Sequence, residues 1–333
     1  MHVLIRSDGN SDIGFGHLVR CSALTGTLLQ RNHSITVAST TPDNATDVFP
    51  GQVEVAHLPS RDDPTPFIQL LDTYDPDIVF TDAYPVDTEY QTAVRELVPL
   101  VVMHDEAMQT ICADAFVNGN IYASELDYEF AGAPPEWHLG SEYLLLRDEI
   151  VKSASQTPPW RKTPQTALLT MGGSDPNTMS PVALEALQEF NIQVDVIIGP
   201  GFSEENIDKI RELAVDRNIE LHFDPDNLPQ LMLDADVAVS AFGSTSYELA
   251  IHGTPFLGLI QAENQMPIAE AFTRRDAAIS VTGTPDRDEL LPAIKKLVTD
   301  VHWRRSARKV CRSLVDGRGT GRVANLLERH GNQ

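Results

Sequence analysis

The sequence has few cysteines, little positive charge and no long apolar run. Its three cysteines, Cys21, Cys112 and Cys311, form neither a Cys-x-x-Cys pair nor an even disulfide set, so we expect free thiols in a reducing compartment. No apolar run approaches the roughly 20 residues that cross a bilayer, and the first residues show no basic segment with a cleavage site. These absences predict a cytoplasmic protein without stable membrane association.

Acidic residues outnumber basic ones by 48 to 25, which gives a net charge of -23. Among the basic residues, lysine is scarce beside arginine. Binding to a nucleic-acid backbone requires basic patches, and the sequence has none outside "WRRSARKVCR" at 303–312. We therefore predict that nucleic acid is not a partner. Acidic surfaces keep a protein solvated in a salt-rich cytoplasm, which favours a halophile with an acidic proteome. An ordinary acidic enzyme is the alternative.

The chain of 333 residues is too long for one ordinary core and fits two domains. Short β-branched runs alternate with amphipathic segments, a pattern typical of βαβ units and parallel sheets. The polar, proline-bearing stretch "VKSASQTPPWRKTPQ" interrupts this pattern and is typical of a linker. We predict an α/β fold with two Rossmann-like domains, residues 1–152 and 166–333, joined by a linker at 153–165.

Twelve segments read as strands. They are, in the first domain, "HVLIR", "HSITVAS", "QVEVAHL", "DIVFTD", "LVVMHD" and "DAFVNG", and in the second "TALLTMGG", "QVDVIIGPG", "IELHFDP", "DVAVSAFG", "PFLGLI" and "AAISVTG". Helices of the second domain are predicted at about 178–190, 203–217, 244–252 and 264–275. Ligands of such sheets bind beyond the carboxyl ends of the strands, which directs attention to the turns that follow them.

One glycine-rich turn of the second domain is "LLTMGGSDPNTMS". Gly172 and Gly173 allow close approach of the backbone, and Ser174, Asp175 and Asn177 are candidate helix caps. Free amide groups at a helix start attract phosphate. A simple strand-to-helix turn is the alternative.

The other glycine-rich turn is "SAFGSTSYELAIHGTP". Gly243, Ser244, Thr245 and Ser246 offer amides and hydroxyls to a diphosphate, and Glu248, on the first turn of the helix, could accept both hydroxyls of a ribose. A capping-box glutamate is the alternative.

Familiar nucleotide motifs are missing. No Gly-x-Gly-x-x-Gly with a later acidic residue follows the first strand, and no P-loop sequence is present, which disfavours nicotinamide, flavin and P-loop chemistry. Neither glycine-rich turn holds a basic residue, so phosphate would be held by neutral dipoles. We expect no cofactor. No nearby set of cysteine, histidine and acidic residues has metal-ligand spacing, so we also expect no metal.

The motifs together resemble a known family. The stretches concerned are "IRSDGNSDIGFGHLVRCSAL", "TDAY", "GGSDPN", "SAFGSTSYELAIHGTP", "ENQ" and "DGRGTGRVANLL", in this order along nearly the whole chain. They are similar to the SpsG-like UDP-2,4-diacetamido-2,4,6-trideoxy-β-L-altropyranose hydrolases of pseudaminic acid synthesis, which are related to GT-B glycosyltransferases. The resemblance implies a GT-B arrangement with an interdomain cleft. It also implies that UDP binds to the second domain, with a C-terminal helix packing back across the cleft.

The resemblance implies catalytic roles in the first domain. His17 would be the catalytic base, with Gly14 and Gly16 letting its turn approach the sugar. Chemistry agrees, since water that attacks an anomeric carbon must lose a proton and histidine titrates near neutrality. Tyr84 would hold water or sugar, although a core-edge aromatic is the alternative. Asp82 would orient His17 or satisfy a buried turn.

Further residues near these positions have supporting roles. Arg20 is interpreted as holding a loop carboxylate such as Asp8, which shapes the site, and Cys21 as core packing. The family has an acidic pair after the fifth strand. Here the pair is Asp105 and Glu106, a departure in order that leaves its role unassigned.

The resemblance implies further contacts with UDP in the second domain. The backbone near Asn227 and Leu228 would meet uracil, and Asn264 and Gln265 would reach the distal phosphate or the sugar. A helix cap is the alternative for the latter pair.

These residues predict an enzyme that hydrolyses a UDP-linked deoxyaminosugar by C–O cleavage, with inversion. An inverting GT-B glycosyltransferase that uses a UDP-sugar donor is the alternative. It would need an apolar or basic patch for a membrane carrier, and the first domain is acidic. A non-catalytic sugar-nucleotide binder is a third reading, which His17 argues against. A monomer is expected.

Overall fold

The computed structural model describes residues 1–10, 14–215 and 218–332. Positions 11–13 of the glycine-rich motif and 216–217 of the predicted helix 203–217 lie outside the described residues. The chain divides into two compact units, Met1–Asp148 with Gly317–Gln333, and Glu149–Asp316. This division differs from the predicted one, because the last segment of the chain belongs to the first unit.

The first unit contains, within the described residues, a seven-stranded sheet in the order β3-β2-β1-β4-β5-β6-β7, in which all neighbours are parallel. Its strands are β1 (His2–Ser7), β2 (Ser34–Ser39), β3 (Glu54–His57), β4 (Ile78–Asp82), β5 (Leu100–Met103), β6 (Ala115–Asn118) and β7 (Glu136–Leu139). The six predicted strands are confirmed. The seventh was missed because it is a short edge strand whose Trp137 is 49% exposed, so it lacks a buried strand's apolar pattern.

Helices cover both faces of this sheet. They are α1 (Gly16–Gln30), α2 (Pro42–Val48), α3 (Pro64–Tyr74), α4 (Thr88–Arg95) and, numbered in chain order, α13 (Gly319–Gly331). On α1, Leu18, Cys21 and Leu28 recur at helical spacing and are fully buried. The last helix belongs to the first unit because its Val323 and Leu327 enter the same core.

The second unit contains a six-stranded parallel sheet in the order β10-β9-β8-β11-β12-β13, again within the described residues. Its strands are β8 (Thr166–Thr170), β9 (Gln193–Ile198), β10 (Ile219–Phe223), β11 (Val237–Ala241), β12 (Phe256–Ile260) and β13 (Ala278–Thr282). All six were predicted. Its helices are α5 (Asp148–Ala154), α6 (Met179–Leu187), α7 (Glu204–Ala214), α8 (Leu228–Asp234), α9 (Ser244–His252), α10 (Met266–Arg274), α11 (Arg287–Thr299) and α12 (Val301–Leu314).

The predicted linker is packed onto α12. Arg304 donates to the carbonyl oxygen of Lys162 at 2.6 Å, and Arg308 donates to that of Pro159 at 2.6 Å. The guanidinium groups of both arginines also lie over the ring of Trp160. The basic stretch near the end of the chain therefore holds 158–162 in place.

Each sheet reverses its strand order at one point. In the first unit the chain builds β2 and β3 on one side of β1 and then places β4 on the other side, and the second unit repeats this pattern around β8 and β11. The connections leave in opposite directions there, which opens a crevice at the carboxyl ends of the two central strands. The histidine motif and Tyr84 follow β1 and β4, and the two glycine-rich turns follow β8 and β11.

Candidate functional site

The turn after β1 brings the histidine motif to this edge of the first sheet. Gly14 has a φ of 86°, a conformation that favours glycine, and its N–H donates to the carbonyl oxygen of Asn10 at 2.8 Å. Gly16 begins α1. Among the described residues, no atom lies within 4 Å of a Cβ built on either glycine. The start of α1 is therefore open on this side.

His17 lies in the first turn of α1 and is 8% exposed. Its Nδ1 is 2.7 Å from Oδ1 of Asp82, the last residue of β4. Because an ionised carboxylate only accepts hydrogen bonds, the contact assigns the ring proton to Nδ1. Nε2 is then the basic nitrogen, and it has no hydrogen-bond partner among the described residues. This contact is the one that the predicted orienting role of Asp82 requires, and the role itself stays a prediction.

Arg20 lies one turn further along α1 and joins two carboxylates. Its Nε and Nη2 donate to Asp82 at 2.5 Å each, and its Nη1 contacts both oxygens of Asp105 at 2.9 Å. The predicted pairing of Arg20 with Asp8 is wrong. Asp8 instead pairs with Arg6, which lies two residues before it on β1, at 2.7 Å.

The buried charges of this group stabilise one another. Burial disfavours the charged form of Asp82, but Arg20 and His17 outweigh it and hold the pKa of this carboxyl well below its usual range. Burial likewise acts against the Arg20 guanidinium, yet Asp105 and Asp82 raise its pKa well above the ordinary value. Burial, and then Asp82, raise the pKa of the Cys21 thiol. Cys21 is fully buried and therefore packs as an uncharged thiol.

Tyr84 stands beside His17. The two rings meet edge to face, with centroids 4.8 Å apart, and Tyr84 makes a similar contact with His104 at 5.2 Å. The hydroxyl of Tyr84 is 3.5 Å from Oδ2 of Asp105. Burial, followed by Asp105, raises the pKa of Tyr84, so its hydroxyl remains a hydrogen-bond donor.

Sequence reasoning missed part of this group. Asn120 donates from Nδ2 to Oδ1 of Asp105 at 2.8 Å, and the Tyr122 hydroxyl donates to the Asp105 carbonyl oxygen at 3.3 Å. Both residues follow β6, in the stretch "NGNIY". Polar residues directly after a buried strand were the available signal.

In the second unit the first glycine-rich turn follows β8. Gly172 has a φ of 83°, and the N–H of Gly201 donates to the carbonyl oxygen of Gly173 at 2.8 Å. A Cβ on Gly199 would lie 2.4 Å from the carbonyl oxygen of Gly172. The turn after β9, which was read only as the end of a strand, therefore supports this one.

The polar residues of the first turn divide into two kinds. Asp175 is buried, and its carboxylate accepts from the N–H groups of Met179 and Ser180 at 2.9 and 2.7 Å and from Asn206 at 3.1 Å. It is a helix cap, as one reading expected. Ser174 is partly exposed.

The second glycine-rich turn lies beside the first, because β8 and β11 are neighbours. The hydroxyl of Thr245 is 3.9 Å from a Cβ built on Gly172. Helix α9 begins at Ser244. Glu248 is 7% exposed and lies on the second turn of α9, not on the first turn as predicted. The N–H of Gly243 donates to the Ser246 hydroxyl at 3.3 Å, so Glu248 does not fill the capping-box position.

The remaining predicted residues follow β10 and β12 at the same edge of the sheet. Asn227 is exposed, and the N–H of Leu228 donates to the carbonyl oxygen of Pro225 at 3.2 Å. Asn264 is exposed, whereas Oε1 of Gln265 accepts from the N–H of Gln261 at 2.8 Å. Gln265 thus stabilises the end of β12.

Among the described residues, one group of side chains could hold a metal ion: Asp195 on β9 with Glu220 and His222 on β10. Nε2 of His222 is 3.0 Å from Oδ1 of Asp195, so this pair is hydrogen-bonded without an ion. Ligands on separate strands have no characteristic spacing in the sequence, which is why the group was not found there.

Curated relatives cover most of the chain, whereas no known protein-family profile matches it. The chain is 26% identical to the spore coat polysaccharide biosynthesis protein SpsG of Bacillus subtilis, over 98% of this chain and 98% of the relative. It is 25% identical to the UDP-2,4-diacetamido-2,4,6-trideoxy-beta-L-altropyranose hydrolase of Campylobacter jejuni, over 83% of this chain and 97% of the relative. An uncharacterized protein of Methanocaldococcus jannaschii is 26% identical over 83% of this chain, which spans only 59% of that longer protein. The resemblance expected from the motifs is confirmed.

Solved structures share the fold. MurG of Acinetobacter baumannii superposes with a TM-score of 0.69 at 13% identity, over 98% of this chain and 99% of that one. The calicheamicin glycosyltransferase CalG4 superposes with a TM-score of 0.70 at 16% identity, over 100% of this chain and 98% of that one. These likenesses establish the fold, two Rossmann-like α/β domains of the GT-B class. No helix in the described ranges has both the length and the apolar character that crossing a bilayer requires.

Proposed function

We propose that this protein hydrolyses a UDP-linked deoxyaminosugar to free sugar and UDP, in the biosynthesis of a pseudaminic-type or other surface glycan. The proposal is supported by the relatives, one of which is named for the hydrolysis of such a UDP-sugar and another for polysaccharide biosynthesis. It is also supported by the GT-B fold. The observation that carries it is the 2.7 Å contact between His17 Nδ1 and Asp82, which leaves Nε2 as a base.

The chemistry is a single displacement at the anomeric carbon. Nε2 of His17 takes a proton from water as the water oxygen attacks that carbon. The bond between the carbon and the β-phosphate oxygen breaks, and its electron pair leaves with UDP. One displacement inverts the configuration. Asp82 stabilises the imidazolium that forms, and the Tyr84 hydroxyl, kept protonated, holds water or sugar.

The second unit binds UDP in this proposal. The start of α9 presents Ser244 and Thr245, and the turn of Gly172 and Gly173 lies beside it. Amide and hydroxyl dipoles at a helix start stabilise a diphosphate without a basic side chain. The same dipoles stabilise UDP as it leaves, so strong acid catalysis is unnecessary. Glu248 would bind the ribose hydroxyls, Asn227 and Leu228 the uracil, and Asn264 with Gln265 the distal phosphate or sugar.

Glycosyl transfer is the second candidate, because the solved structures with this fold include glycosyltransferases. The two activities differ in what attacks the anomeric carbon. A transferase would release UDP only when a sugar or lipid acceptor is supplied.

The test is UDP release from a panel of UDP-sugars, including UDP-2,4-diacetamido-2,4,6-trideoxy-β-L-altropyranose, without acceptor. We expect release by the wild type and loss of roughly a thousandfold or more in His17→Ala. In ¹⁸O-labelled water the label should enter the sugar. Label in UDP would mean attack at phosphorus, a requirement for an acceptor would favour transfer, and full activity of His17→Ala would reject the base.

A further inference from the structure

Arg20 and Asp105 form a second layer behind His17 and Asp82. The guanidinium donates from Nε and Nη2 to the carboxylate of Asp82. Its remaining nitrogen, Nη1, donates to the carboxylate of Asp105. Asn120 adds a 2.8 Å hydrogen bond to Oδ1 of Asp105, which Arg20 also contacts. The Arg20 guanidinium is therefore held by two carboxylates, although an ion pair with Asp82 needs only one.

The position of Arg20 matters because it competes for the same ring nitrogen. Its Nη2 is 3.0 Å from Nδ1 of His17, while Asp82 Oδ1 is 2.7 Å from that atom. If Arg20 donated to Nδ1, the ring proton would move to Nε2 and the basic nitrogen would face away from the reaction. A guanidinium that donates to both oxygens of Asp82, from Nε and Nη2, directs its protons to the carboxylate instead.

We propose that Asp105 is a positioning residue that acts through Arg20: it holds the guanidinium on Asp82 and so keeps the ring proton of His17 on Nδ1. The assignment rests on the proposed function only in naming Nε2 as the catalytic base. It gives Arg20, which was interpreted from the sequence as holding a loop carboxylate, the carboxylates Asp82 and Asp105 as partners. It also gives a role to Asp105.

Charged and titratable groups surround His17 on several elements. They are Arg20 and Cys21 on α1, Asp82 at the end of β4, Tyr84 after it, and His104, Asp105 and Glu106 after β5. The Cys21 thiol and Tyr84 hydroxyl stay neutral, and burial lowers the pKa of His104, which keeps that ring neutral too. The charges that decide the tautomer are thus those of Arg20, Asp82 and Asp105.

The experiment measures the tautomer directly, in the full-length protein without substrate. Protein labelled with ¹⁵N-histidine is observed by NMR at about pH 8.5, where an ordinary imidazole is neutral, and the signal lost in His17→Gln identifies His17. The wild type should show a protonated Nδ1 and an unprotonated Nε2. In Asp105→Asn the form with the ring proton on Nε2 should appear. The same form should appear in Arg20→Lys, which keeps the positive charge but loses the planar set of N–H donors that binds two carboxylates.

Kinetics supply the second readout. We expect Asp105→Asn to lower kcat roughly 10- to 100-fold and to change KM less than about threefold, because the substrate contacts remain. The double variant Arg20→Lys/Asp105→Asn should be little worse than Arg20→Lys, since both act through one link. Asp105→Glu should recover part of the rate. Glu328→Gln, which breaks the 3.1 Å pair with Arg31 in the same unit, is the matched control and should leave kcat and tautomer unchanged.

The outcomes separate this inference from the proposed function. An unchanged tautomer in Asp105→Asn overturns the inference, as does a raised KM with normal kcat, which would make Asp105 a substrate contact. If no UDP-sugar is hydrolysed but the tautomer changes, the positioning role stands and the proposed function fails. If Asp105→Asn does not fold, Asn120→Ala, which loosens Asp105 without removing its charge, should shift the tautomer in the same direction; an unchanged tautomer there overturns the inference.

Discussion

At the scale of single residues, the candidate active site depends on a buried carboxylate that remains charged. Asp82 is fully buried and bonds His17 and Arg20. We expect Asp82→Asn to lower kcat roughly a thousandfold or more, because an amide does not hold the ring proton on Nδ1. Steady-state hydrolysis of the preferred UDP-sugar measures this. Asp208→Asn, an exposed aspartate paired with Arg211, is the control. A loss below tenfold would contradict the orienting role.

The same carboxylate predicts how stability depends on pH. Burial opposes its charge, but Arg20 and His17 prevail and depress its pKa in the folded protein. A depressed pKa contributes stability that is complete above the unfolded value, near 3.8, and is lost as the pH falls through the folded value. Urea unfolding from pH 5 to pH 3 should show the free energy of unfolding falling less steeply in Asp82→Asn, by up to about 1 kcal/mol per pH unit. Equal slopes would contradict the ion pairing.

Sequence reasoning at this scale found His17, Asp82 and Tyr84 through a motif but assigned the wrong partner to Arg20. Both Asp8 and Asp82 were available in the sequence. The choice is made by the strand register, which sets Ser7 beside Asp82 on the neighbouring strand, and by the reach of a helical side chain. Neither follows from the order of residues in the sequence. Asn120 was missed because its place in this group depends on a hydrogen bond to Asp105, fifteen residues earlier in the chain.

At the scale of elements, the turns that end the strands form the proposed nucleotide site. Gly199 supports the turn of Gly172 and Gly173, since a Cβ there would meet the Gly172 carbonyl oxygen at 2.4 Å. We expect Gly199→Ala to destabilise the protein by about 1–3 kcal/mol and to weaken UDP binding, because the turn must shift. Urea unfolding and calorimetric titration with UDP measure the two effects.

Gly26 provides the matched control for that substitution. It lies inside α1, and among the described residues nothing is within 4 Å of a Cβ built there. Gly26→Ala should therefore stabilise the protein by about 0.5–1 kcal/mol, from helix propensity alone, and leave UDP affinity unchanged. If both substitutions lowered UDP affinity equally, the turn after β9 would have no special role.

The strands were predictable because buried parallel strands are short apolar runs, and twelve such runs were found. The helices were harder to predict. The sequence placed Glu248 on the first turn of its helix, whereas α9 begins at Ser244 and puts it on the second. The predicted bounds 244–252 match α9, so the error lay in counting the turns, because the first turn ends at Tyr247.

At the scale of the whole molecule, domain boundaries were the least predictable feature. The chain returns to the first unit at Gly317, and α13 packs there through apolar residues such as Val323 and Leu327. Its assignment depends on specific partners such as Arg31, which pairs with Glu328 at 3.1 Å. Amphipathic pattern shows that a helix needs a partner surface, but it does not show which surface.

The net charge of -23 makes its own prediction for the whole molecule. Self-repulsion of like charges destabilises a compact state, and salt screens it over about 10 Å at 0.1 M and about 3 Å at 1 M. Raising potassium chloride from about 0.05 to 1 M near pH 7.5 should therefore raise the urea midpoint of unfolding.

The control repeats the titration near pH 4.6, where the net charge of the sequence vanishes. There the gain should shrink, because little repulsion is left to screen. An equal gain at both pH values would mean that salt acts through apolar surface instead, and the acidic composition would then have no part in stability.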